Sequence, residues 1–283
     1  MFWACGSDPA EEIIGEGAPR EARVEQKAPA QQNIVVILID TLRPDHLGFN
    51  GHHRETAPYL ASLAERSVVF SHAVSTSTWT APSTASLFTA LHPLRHGVHI
   101  GVVAHHKRVV LDEAAGVMKL QINRLPESIA TLPELFRDLD YRTFGIAANP
   151  NIGSSIGFDR FKLLEGRSLS VEEARKAGRT RKPFRWANGE ELYKELSSWQ
   201  ADIKRGPEPF FLYIHINDVH DPYKKHAGFY REPTGEDYGR ALYDSGIGYV
   251  DEILSRVHRD LELDEDTIIA VVSDHGEAFG EHG

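Results

Sequence analysis

The chain has 283 residues, 41 acidic against 31 basic, and a net charge of −10, with 41% hydrophobic and 25% charged residues. That composition belongs to an ordinary globular protein and excludes collagen-like and wholly disordered chains, while the negative charge argues against general nucleic-acid binding. No stretch approaches the ~20 apolar residues of a transmembrane helix, and the single cysteine, Cys5, excludes an internal disulfide framework or a cysteine-built zinc cage.

Residues 1–32 are rich in Pro, Ala and Glu without a sustained period, and read as a disordered tether. Within them Ala4-Cys5-Gly6-Ser7-Asp8 resembles a bacterial lipoprotein processing site, without the basic and apolar leader that precedes one. On that reading the protein is tethered through Cys5 in the cell envelope or periplasm. The alternative is a cysteine with no role in a floppy terminus.

From Asn33 the pattern changes. Ile34 to Ile39 is a continuous apolar, β-branched run, the signature of a strand buried on both faces. Similar runs follow at Thr143–Ala148, Phe210–Ile216 and Thr267–Val272. Helical patterns lie between them at Thr56–Arg66, Thr131–Leu139, Ala187–Lys204 and Asp237–Leu261. Strands alternating with helices predict a doubly wound α/β domain over 33–283, with a mostly parallel sheet covered on both faces. Residues 101–128 and the basic segment 165–186 read as insertions, the latter as a solvated helix and loop or as an attractor for anions.

In such sheets ligands bind beyond the carboxyl ends of the strands. There the sequence places Asp40-Thr41, then Asn149, then His215 with Asn217, Asp218, His220 and Asp221, and finally Asp274-His275. Asp40, Asp274 and His275 supply two carboxylates and an imidazole, a set suited to one divalent cation, with Ca²⁺, Mg²⁺, Mn²⁺ and Zn²⁺ all open. Trp79 to Ala90 reads as a loop entering a helix with Pro82 at its first position, so that Thr80 lies just before the first turn. A hydroxyl there, at a helix N-terminus beside a metal, has the setting of a nucleophile for a sulfate or phosphate ester; equally, Thr80 or Ser83 caps the helix.

Together these segments resemble the sulfatase family of the alkaline phosphatase superfamily. The residues that carry the likeness are Asn33–Gly48 (NIVVILIDTLRPDHLG), Ala57-Pro58-Tyr59-Leu60, Thr80–Ala90 with His92-Pro93 and Arg95–Val98, His215–Tyr223 (HINDVHDPY), and Ser273–Gly283 (SDHGEAFGEHG). The resemblance implies that Asp40, Asp274 and His275 hold one divalent cation, Ca²⁺ being the family's usual ion. It places Thr80 at the nucleophile position, gives His220 a part in protonating the leaving group or binding the anion, and sets His215 and Asn149 beside the substrate, a small sulfated or phosphorylated ester.

The sequence departs from the pattern in three places. Sulfatases form formylglycine from Cys or Ser in a C/S-x-P-x-R motif, whereas this sequence has Thr80-Ala81-Pro82-Ser83-Thr84, which excludes that aldehyde and replaces the supporting Arg with Thr84. Thr nucleophiles are known among relatives of the lipoteichoic-acid-synthase and phosphoethanolamine-transferase kind, which gives a phosphoryl or phosphoglycerol transferase as the alternative to a hydrolase. A non-catalytic, anion-binding relative is a third possibility. Thr41 stands where many sulfatases have a second Asp, implying a leaner metal site. In the family a further Lys or His and more sheet follow the late metal motif, so the resemblance implies a catalytic domain incomplete at Gly283.

Overall fold

The computed structural model describes residues 31–100, 125–149, 151, 156–164, 167–168, 184–185, 187–233, 238–263 and 266–281. The N-terminal segment with Cys5, most of 101–128 and most of 165–186 therefore lie outside the described residues. Gln32–Gly283 forms a compact unit.

Its centre is a five-stranded, all-parallel sheet in the order β3-β2-β6-β1-β7. The strands are β1 (Asn33–Ile39), β2 (Arg142–Ala147), β3 (Arg160–Leu163), β6 (Phe210–Ile216) and β7 (Thr267–Val272). A separate antiparallel pair, β4 (Arg167–Ser168) and β5 (Phe184–Arg185), falls within the basic segment. The four strands expected from the apolar runs are present, β2 beginning one residue earlier than expected, and β3 is added at one edge of the sheet. Its Arg-Phe-Lys-Leu is too short and too charged to announce a strand.

The helices are α1 (Pro58–Ala64), α2 (Thr80–Thr89), α3 (Pro93–His96), α4 (Leu132–Asp138), α5 (Gly189–Ile203) and α6 (Tyr238–Leu261). Local chemistry sets their starts. The Glu134 carboxylate accepts the Thr131 N–H at 2.8 Å, and the Asn188 side chain accepts the Glu191 N–H at 3.0 Å while Glu191 returns the bond, so both helices open with a capping box.

Side chains alternate across β1, and this divides the core. Val35, Ile37 and Ile39 pack with Leu60 and Leu63 of α1, Leu196 and Trp199 of α5, and Ile247 and Val250 of α6. Val36 and Leu38 face the other way, against Phe88 of α2 and Phe211 and Tyr213 of β6. Period-two alternation therefore carries the next even residue, Asp40, to the α2 side of the sheet. The core fixes the face on which the site is built.

Candidate active site

Asp40 leaves β1 fully buried, and its two carboxylate oxygens have different surroundings. Oδ2 accepts from Asn149 Nδ2 at 2.9 Å and from His215 Nε2 at 3.0 Å; Oδ1 is buried with no hydrogen-bond partner. Asp274, beyond β7, shows the same division. Its Oδ1 accepts the N–H groups of Thr41 at 3.2 Å and His275 at 3.0 Å, while Oδ2 is buried and unpartnered. Buried acceptors are rarely left unpaired in folded proteins, and here two belong to adjacent carboxylates.

His275 stands between them, its Nε2 3.8 Å from Asp40 Oδ1 and 3.5 Å from Asp274 Oδ2. Its Nδ1 lies 2.8 Å from the Gly276 carbonyl, which can only accept, so in the neutral ring Nδ1 carries the proton and Nε2 presents a lone pair. Thr80 Oγ1 lies 3.3 Å from that Nε2 and donates to it. Two carboxylate oxygens, an imidazole lone pair and a hydroxyl thus converge, and the ligand atoms of Asp40, Asp274 and His275 all lie within 4.8 Å of one another. This donor set fits a divalent cation.

Electrostatics point the same way. Burial disfavours charge on Asp40, but the hydrogen bond and charge of His215, with His220 and His275, hold its carboxyl below the usual range. Asp274 is pushed up, first by burial and then by the Asp40 charge. Two buried carboxyl groups crowd one another, the circumstance that a bound cation relieves.

Thr80 is the first residue of α2, after an extended Trp79 that makes no side-chain cap. The expected start, with Pro82 at the first helical position, is corrected: the helix begins two residues earlier. Pro82 is tolerated there because the N–H groups of a first turn have no intrahelical partner anyway. Thr80 does not cap. Ser83 binds the Ser77 carbonyl at 3.1 Å, and Thr84 turns back to the Thr80 carbonyl at 2.7 Å, which keeps it within the helix.

His220 follows β6 on the Asn217–His220 turn. Its Nδ1 donates to the Asp221 carbonyl at 2.5 Å, so its Nε2 is left to accept a proton. His215 and Asn149 were expected beside the substrate. In the structure His215 Nε2 and Asn149 Nδ2 both bond Asp40, His215 having none of its surface exposed, while Asn149 Oδ1 accepts the Asn151 N–H at 2.9 Å and His215 Nδ1 is buried without a hydrogen-bond partner.

Two contributors, Tyr243 and Ser75, have no signature in the sequence. Thr41 adopts a left-handed backbone with φ of 59°, a conformation that costs a β-branched residue roughly 1–3 kcal/mol. Tyr243, buried in α6, holds it there: its hydroxyl donates to the Thr41 carbonyl at 2.7 Å and accepts the Arg43 N–H at 2.8 Å. A tyrosine on an amphipathic helix reads as core, and nothing in the sequence ties it to a turn 200 residues away. Ser75 is the second, its hydroxyl bonding the Asp274 carbonyl.

The sulfatase family model matches residues 32–283. The chain belongs to the sulfatase family. Among curated relatives of this sulfatase-family chain, human N-acetylgalactosamine-6-sulfatase is 25% identical over 279 residues, covering 89% of this chain and 51% of the relative. The phosphatidylethanolamine transferase Mcr-1 of Escherichia coli is 24% identical over 268 residues, covering 88% and 43%. The crystal structure of the phosphonate monoester hydrolase of Agrobacterium radiobacter superposes with a TM-score of 0.65 at 17% identity, covering 89% of this chain and 64% of that one. The chain thus spans about half the length of the curated relatives it matches. The family generally binds a divalent metal, and Asp40, Asp274 and His275 form a candidate ligand group in this chain.

Proposed function

We propose that this chain is a metal-dependent hydrolase of sulfate or phosphate esters that uses Thr80 as its nucleophile. The observation carrying the proposal is the convergence of two unpartnered carboxylate oxygens, Asp40 Oδ1 and Asp274 Oδ2, with the His275 Nε2 lone pair and the Thr80 hydroxyl. Asp40, Asp274 and His275 would hold the ion, which when bound supplies positive charge against a developing anion and lowers the pKa of a nearby hydroxyl.

The chain's own groups account for the remaining steps. Thr80 presents its oxygen at the N-terminus of α2, where N–H groups and the helix dipole favour an anionic ester. Thr80 Oγ1 lies 3.3 Å from His275 Nε2, and because that nitrogen would be taken up by the ion, the Thr80 proton leaves to solvent as the oxygen attacks. His220, with its tautomer set by the Asp221 carbonyl, carries a proton on Nε2 to the departing oxygen and recovers it from the entering water. Asn149 and His215 position Asp40. A threonine cannot become formylglycine, so the covalent intermediate is an ester of Thr80.

The test is turnover of aryl sulfate and aryl phosphate esters by the parent, Thr80→Ala and Thr80→Ser. Loss of at least ~10³-fold in Thr80→Ala with partial activity in Thr80→Ser is expected; undiminished turnover in Thr80→Ala overturns the proposal. A second reading, transfer of a phosphoryl group to an alcohol at the cell envelope, is supported by Thr80 and by the similarity to the transferase Mcr-1. A product in which an added alcohol carries the phosphoryl group would favour it, and metal binding without any turnover would favour an anion-binding role.

A further inference from the structure

A second group of metal-ligating side chains lies outside the site just described. His46 and His52 come from the segment after β1, and Asp244 from α6. The Asp244 carboxylate receives one imidazole on each oxygen: His46 Nδ1 lies 2.6 Å from Oδ1 and His52 Nε2 lies 3.2 Å from Oδ2. The two imidazoles stack with centroids 5.1 Å apart, and His46 also packs on Tyr243 and Phe279. The ligand atoms of the three residues lie within 4.8 Å of one another.

We propose that His46, His52 and Asp244 form a second divalent-ion site, of zinc-class preference, that fastens the segment around residues 44–52 to α6. Asp244 is 7% exposed, and its ion-pair partners are these two imidazoles. A buried carboxylate needs a positive partner, and an imidazole is one only while protonated. A dication meets that need at any pH where the rings are neutral.

Donor type then selects the ion. Two nitrogens and one carboxylate suit a borderline ion of the zinc class, whereas the Asp40–Asp274–His275 group offers two carboxylates and one nitrogen. The partly buried His52 gives an ion its way in, and because zinc's ~2.0–2.2 Å bonds hold ligand atoms about 3.3 Å apart, the 2.6 Å contact of His46 Nδ1 with Asp244 Oδ1 opens on binding. On binding, each ligating nitrogen presents its lone pair, so each ring moves its proton to the other nitrogen or releases it to solvent.

The position gives the site a structural role. Tyr243, the residue before Asp244, fixes the Thr41–Arg43 turn through its hydroxyl. An ion on Asp244 would add a cross-link between the same helix and the stretch that follows the turn.

The test uses the whole chain, stripped of metal and then loaded with Zn²⁺ or Co²⁺, desalted and assayed for bound metal per chain. The parent, His52→Gln, His46→Gln and Asp274→Asn are compared, with circular dichroism as the check on folding. His52→Gln and His46→Gln are expected to hold one ion fewer than the parent. The Co²⁺ ligand-field absorption and the Zn²⁺-dependent rise in melting temperature that remain in Asp274→Asn should vanish when His52→Gln is added to it. If His46→Gln does not fold, His52→Gln, at the rim, decides alone. Parent-like metal content in folded His52→Gln overturns the proposal, as does a parent that takes up no ion beyond the one lost in Asp274→Asn. An ion lost in His52→Gln but none in Asp274→Asn would support this site and count against the metal of the proposed function; the reverse would do the opposite.

Discussion

His215 Nε2 meets Asp40 Oδ2 at 3.0 Å from a position with no exposed surface, so the histidine acts on the site only through that carboxylate. His215→Ala removes the contact that keeps Oδ1 facing His275. Divalent-metal affinity should fall ~10–100-fold, as it does when partners of metal ligands are lost elsewhere. Competitive metal titration of the folded variant measures this, and an unchanged affinity would show that Asp40 needs no support from behind.

Tyr243→Phe deletes one oxygen and leaves the Thr41 carbonyl and the Arg43 N–H without their partner. The expected loss is ~1–3 kcal/mol in urea unfolding with an unchanged slope. Because Thr41 N–H also holds Asp274, turnover should fall as well. Full stability and full activity together would mean that the left-handed turn holds itself.

Gly246 lies in α6 where a Cβ would come within 2.9 Å of the Asp218 carbonyl. Helix propensity alone would make Gly246→Ala stabilising by ~1 kcal/mol. The contact is with backbone, which cannot rotate away, and should reverse the sign to a net loss of ~1–2 kcal/mol. The displaced turn also carries His220, so activity should drop with stability. A variant more stable than the parent would refute the close approach.

Asp251 bonds the Tyr59 and Leu60 N–H groups at 2.9 Å each, at the start of α1. Burial nevertheless pushes its carboxyl up to about 6 from the ordinary 3.8; the two N–H groups offset part of this, and Glu55 and Glu252 add to it. The folded state therefore holds this proton more tightly than the unfolded chain. Its contribution is complete below pH ~4 and is lost as pH rises through ~6, amounting to roughly 2–3 kcal/mol. Asp251→Asn should lack that component, so the stability of the parent relative to the variant should decline between pH 4 and 7.5. Parallel pH profiles would contradict it.

The strands and the groups at their carboxyl ends were legible because a β-branched apolar run followed by an acid or amide is a local signal, as in Ile34 to Asp40. The start of α2 was misplaced because proline is accepted at several positions of a first turn. The bonds of His215 and Asn149 to Asp40 were not legible for a different reason. Spacing shows which residues reach the sheet edge, but which of them is covered by its neighbours depends on packing between strands far apart in sequence. Tyr243, Thr41 and the meeting of His46 and His52 with Asp244 arise from that same long-range packing.

The alternation along β1 has a consequence for how this chain can vary. The residues that fill the two cores and the carboxylate of the site share one period of two, so inserting or deleting a single residue between Val35 and Asp40 would turn valines and isoleucines toward the wrong layers and swing Asp40 away from α2 at the same time. Folding therefore proofreads the site: a chain that has lost the register of its carboxylate has also lost the packing that would let it persist.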